Sequence, residues 1–146
     1  MRLTFTKGAG KSDALVIERE GRAAEQIECP KQGIIPHDMV HYAVESVFGH
    51  GFLGLVKDGA AAAFTTSGGA AEEAVERLVE CFQAEMWGGR VPAAELLAAY
   101  EHACAARGHE AMPVGEGEVE AIRARLDALG VQWVEVPVHG SLCLKL

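Results

Sequence analysis

At both ends of this chain apolar residues alternate with polar ones, and between the ends they recur every three or four positions. A period of two marks a strand with one buried face, and a period near 3.6 marks an amphipathic helix. Leu3 and Phe5 alternate with Arg2, Thr4 and Thr6. After the turn Gly8-Ala9-Gly10-Lys11-Ser12-Asp13 comes the β-branched run Ala14-Leu15-Val16-Ile17-Glu18. A second turn, Glu20-Gly21-Arg22, leads to a third strand over Glu25 to Cys29, which Pro30 stops. Short strands joined by tight turns predict an antiparallel meander. At the other end, Val131, Trp133, Val136 and Val138 around Pro137 predict an edge strand. Leu142, Leu144 and Leu146 predict a last strand pairing back onto the sheet.

The middle of the chain reads as helices. One is expected from Pro36 to Phe48, with proline at its start, Asp38 in its first turn and Gly49 as its stop. Gly51 to Val56 is short, apolar and bounded by glycine, and fits a strand or a buried loop. Ser67-Gly68-Gly69 leads into a helix over Ala70 to Trp87, with Val75, Leu78, Val79 and Phe82 at helical spacing and Gly88-Gly89 as its end. Pro92 opens a further helix to Arg107, capped by Gly108. A shorter one from Glu118 to Leu129 carries Val119, Ile122, Leu126 and Leu129 on one stripe and is stopped by Gly130. The expectation is a single α+β domain over residues 1–146. Its antiparallel sheet is built from the N- and C-terminal strands, with about four helices packed on one face.

A formal net charge of −8 argues against a nucleic-acid backbone or an anionic membrane as partner, since both select a basic face. An acidic surface is compatible with a protein partner or a second copy of the chain. The N-terminal residues lack the apolar stretch of a secretory signal, and no apolar run approaches the roughly 20 residues of a membrane span, so a cytoplasmic protein is expected. The four cysteines, Cys29, Cys81, Cys104 and Cys143, stand far apart in sequence and read as free thiols.

The segment richest in chemistry is Pro36-His37-Asp38-Met39-Val40-His41, continuing to Glu45. At about 100° per residue, Val40, Val44, Val47 and Phe48 form an apolar stripe, and His37, His41 and Glu45 form a row beside it. Two imidazoles at i and i+4 can bind one Zn²⁺, and Glu45 one turn further on can add a carboxylate. The pattern resembles the H-E-x-x-H motif of zinc metallopeptidases over five residues, with Asp38 in place of the glutamate. That resemblance implies a zinc cofactor on His37 and His41, with Asp38 as general base for a metal-bound water. The further histidine of the extended family motif is not reproduced, because Val47 stands where it would fall. A third ligand is then expected from Glu45, His50, His102 or His139.

Two other readings of the same segment stand beside this one. It is also what an ordinary helix start looks like, since an acid in the first turn suits the helix dipole. Or His41 acts as a base oriented by Asp38 or Glu45, serving a nucleophile such as Cys29, Cys104, Ser67 or Ser141. Gly8 to Ser12 lacks the first glycine of a phosphate-binding loop, Phe5 standing in its place, and reads as a hairpin turn. His102 and Cys104 lie about 200° apart on their helix and cannot grip one ion together. Two functions from different classes follow: a small metal-binding or hydrolase-like protein using His37, His41 and Glu45, or a non-catalytic binding or regulatory module.

Overall fold

The computed structural model describes residues 1–49, 51–57, 59 and 69–146. Three N-terminal strands, β1 (Arg2–Thr6), β2 (Ser12–Glu18) and β3 (Glu25–Pro30), form the expected meander, and β4 (Ser141–Lys145) returns from the far end of the chain. The sheet order is β3-β2-β1-β4, antiparallel throughout. Leu3 stands opposite Ile17 on one side and Leu144 on the other, and Phe5 opposite Leu15 and Leu142. The side-chain period of two therefore delivers every apolar residue of β1 to one face. Leu3, Phe5, Leu15 and Ile17 are fully buried there.

The helices cover that face. They are α1 (His37–Phe48), the short α2 (Phe52–Lys57), α3 (Ala70–Gly88), α4 (Ala93–Ala106) and α5 (Glu116–Glu135). α1 packs against α2, α3 and α5, and α4 lies across α3 and α5. Met39, Val40, Ala43 and Val44 fill the centre together with Leu78, Phe82 and Ile122. Val47 and Phe48, expected on the same stripe, are half-buried at its end. α1 stops at Gly49, which takes the left-handed conformation and returns its N–H to the Glu45 carbonyl. No described helix is long and apolar enough to cross a membrane.

Two expectations are corrected. The segment expected as a strand or buried loop over Gly51 to Val56 is instead the short helix α2. The helix expected to stop at Gly130 continues to Glu135, and the edge strand expected around Val131 to Val138 does not form. A glycine inside a helix costs roughly 1 kcal/mol relative to alanine. One more turn of α5 brings Trp133 onto the same stripe as Leu126 and Leu129 and buries it, which offsets that cost. Val131 and Val134 face outward. Pro137 then forces the exit, and the extended backbone of Val136 is what a residue before proline adopts. Ser67, Gly68 and His50 lie outside the described residues.

A buried ion pair ties the helices together. Glu85 on α3 accepts two hydrogen bonds from the Arg123 guanidinium on α5, from Nε at 3.1 Å and from Nη2. Arg123 also donates to the Val91 carbonyl and to Glu120. Each buried charge is thereby compensated, the condition under which such a pair is tolerated in a core.

Candidate metal centre

Spacing of four residues on α1 does bring His37, His41 and Glu45 into one row, but the row runs inward. His41 and Glu45 are buried at 3% and 1% exposure, and His37 is half-buried. The two imidazoles meet edge to face, with Nε2 of His37 3.2 Å from Nε2 of His41. Glu45 lies on the opposite side of the His41 ring, where its Oε2 accepts the Nδ1 hydrogen at 3.0 Å.

Other elements fix each partner. Glu45 also accepts the backbone N–H groups of Leu53 and Gly54 at the start of α2, at 3.3 and 3.0 Å. A carboxylate this deeply buried needs such donors. Gly51 lets the chain pass over it. Its φ is +129°, and a Cβ there would fall 2.4 Å from Cδ of Glu45. His37 is held from α3, its Nδ1 donating to Oε1 of Gln83 at 2.5 Å. Gln83 in turn donates its amide to the side-chain oxygen of Gln32, which turns its own oxygen toward His37. In its neutral form each imidazole thus commits Nδ1–H to an oxygen acceptor, which leaves Nε2, the nitrogen facing the other ring, with the lone pair.

A carboxylate stands beside them as a third candidate ligand. Oε1 of Glu76, on α3, is 3.5 Å from Nε2 of His41. One ligand atom each from His37, His41 and Glu76 lie within 4.8 Å of one another, a set that could hold a metal ion. Glu76 and Gln83 are seven residues apart, two turns along the same face of α3, so one helix supplies both the carboxylate and the support for His37. Burial disfavours charge on His41, but the hydrogen bond to Glu45 and the carboxylates of Glu76, Glu45 and Asp38 outweigh it. The His41 pKa is raised above its ordinary value. The surroundings therefore favour positive charge at this imidazole.

The other sequence candidates fall elsewhere. Asp38 accepts a hydrogen bond from the Cys29 thiol, Sγ to Oδ2 3.1 Å, and is not one of the three clustered ligands. Burial first, then the Asp38 carboxylate, pushes the Cys29 pKa up, so the thiol stays protonated. His102 on α4 is exposed, and His139 sits in the turn before β4 with φ +69°. Neither belongs to the cluster. Ser141 is hydrogen-bonded to Thr6 and Cys104 is buried on α4. The Gly8 to Ser12 loop is a hairpin turn, with the Gly8 N–H on Oδ1 of Asp13. Glu76 is the residue that sequence reasoning missed. It lies among Glu72, Glu73 and Glu80 on a helix whose acids read as a solvated face, and no local motif separates it from them.

Comparison with family models, with curated proteins and with solved structures finds no match to this chain.

Proposed function

We propose that this protein binds one divalent transition-metal ion, zinc by its ligand chemistry, through Nε2 of His37, Nε2 of His41 and a carboxylate oxygen of Glu76. The observation that carries the reading is the approach of the two Nε2 atoms to 3.2 Å beside a Glu76 carboxylate, each ring with its Nδ1 turned to an oxygen acceptor. Two neutral imidazoles so disposed repel unless a proton or a metal cation lies between them, and three ligand atoms around that point suit the metal. Nitrogens bound to a tetrahedral zinc at 2.0–2.1 Å stand about 3.4 Å apart, so the pair needs almost no rearrangement. Glu45 and Gln83 then play the outer-shell part that fixes the tautomer and orientation of metal-bound histidines. Relative to the sequence expectation, Glu45 supports His41 and Glu76 supplies the carboxylate.

Three protein ligands leave a coordination position for water, which is the pattern of catalytic rather than closed structural zinc sites. The reaction class such a set supports is metal-assisted hydrolysis. Metal analysis of protein purified without a histidine tag tests the reading. One zinc per chain, lost in His37→Ala and in His41→Ala and weakened in Glu76→Ala, is expected. A chain that takes up no ion after incubation with zinc contradicts it.

The other reading, a non-catalytic binding module, has one observation in its favour. Ile34, Val131 and Val134 are exposed around a groove of about 690 Å³ between α3 and α5. Exposed apolar patches of this kind mark contact surfaces. A metal-free protein whose melting temperature ignores chelators would move the conclusion there.

A further inference from the structure

Glu45 also lines another cavity, about 350 Å³, with a different chemistry. Its wall is built by four separate elements: Tyr42 and Ser46 from α1, Lys57 from α2, Arg125 from α5 and Lys145 from β4. Three basic side chains thus meet in one hollow of a chain with 13 Lys and Arg against 21 Asp and Glu. Among the described residues, Lys57, Arg125 and Lys145 make no ion pair, as is also true of Lys7, Lys11, Arg22 and Arg107, but only these three share one cavity.

The one acidic side chain in the lining is already engaged. Glu45, at the floor, accepts from His41, Leu53 and Gly54. Leu146, at the rim, accepts a hydrogen bond from the Met1 amine at 3.1 Å. Nη1 of Arg125 donates to Oγ of Ser46 at 2.5 Å, which positions the guanidinium and leaves its other N–H groups for a ligand. The Tyr42 hydroxyl donates to the Lys145 carbonyl at 3.1 Å, tying β4 to α1 at the same wall.

We infer that this cavity binds a small organic anion through a phosphate or carboxylate group. A planar guanidinium takes such a group in a two-point hydrogen bond, and the two ammonium groups add charge without fixed direction. The volume is at the lower end of the range for small-molecule sites, so the ligand is of metabolite size. The site stands apart from the metal reading, with Glu45 the shared wall.

Isothermal titration with inorganic phosphate and, separately, with succinate tests it at constant ionic strength, using chloride as control. The expected result is saturable binding, one anion per chain, of phosphate, succinate or both, the preferred arm naming the group. Binding should weaken about tenfold or more in Arg125→Ala and vanish in Arg125→Glu. All three cations are exposed. Their variants should therefore keep the wild-type circular dichroism spectrum. Lys57→Ala and Lys145→Ala supply independent variants should Arg125→Glu fail to fold. Heats that match chloride, or binding unchanged in all of these variants, would overturn the inference.

Discussion

Nδ1 of His41 donates to Glu45 at 3.0 Å, and that single contact decides which nitrogen of the imidazole faces His37. The carboxylate is buried and accepts two backbone N–H groups besides, so its position is set by the start of α2 rather than by α1 alone. Glu45→Gln keeps the shape but replaces one acceptor oxygen by an amide that points its own hydrogens at N–H donors. Zinc affinity, measured by competition with a chromophoric chelator, is expected to fall by about 10–100-fold with all three proposed ligands intact. Unchanged affinity would remove Glu45 from the site's support.

Two glycines give opposite predictions. Gly51→Ala places a methyl group 2.4 Å from Cδ of Glu45 at a φ of +129°, so both backbone strain and steric overlap oppose it. A loss of about 1–3 kcal/mol is expected by urea denaturation, with weaker zinc binding alongside. Gly130→Ala lies within α5, where an added Cβ meets nothing within 4 Å. It is expected to stabilise the fold by about 0.5–1 kcal/mol.

Breaking the Glu85–Arg123 pair leaves the buried guanidinium with only the exposed Glu120 and the Val91 carbonyl. Glu85→Ala is expected to cost about 3–5 kcal/mol in chemical denaturation. The double variant Glu85→Leu, Arg123→Met removes both charges together and is expected to cost much less than the sum of the single changes.

Thiol chemistry follows burial. Burial first, then Glu80 and Cys104, pushes the Cys81 pKa up to about 11. Folding therefore favours the protonated thiol. That contribution is fully present below the unfolded value of 9.0 and is lost as pH rises through the folded value near 11. Stability should accordingly fall in alkaline buffer across that window, by less in Cys81→Ala. At about pH 8, a thiol-reactive dye is expected to label exposed Cys143 fast and the other three cysteines slowly. Equal rates at all four would contradict the burial described.

Much of the fold was legible in local pattern. The alternation of Leu3 and Phe5 and the stripe of Val75, Leu78, Val79 and Phe82 each belong to one element, and each element formed as expected. What failed was the segment from Gly51 to Val56, a helix where a strand or buried loop was expected, and the end of α5. Gly130 and the valines after it carry stop and strand signals, and only the pocket waiting for Trp133 reverses them, which is a tertiary fact. The candidate site divides the same way. His37, His41 and Glu45 share one helix, so their row could be read from spacing. Glu76 and Gln83 reach the histidines from another helix, and their partnership exists only once α3 packs on α1. Burial altered the role of Glu45 as well, because the N–H groups that claim it come from a turn no periodicity marks.

The proposed metal centre is tested most directly by diffraction from zinc-loaded crystals, recorded on both sides of the zinc absorption edge. An anomalous peak about 2.0–2.1 Å from Nε2 of both His37 and His41, with a Glu76 oxygen at similar distance, is the expected result. A zinc peak elsewhere on the chain, or none while the two imidazoles keep their direct contact, would contradict it.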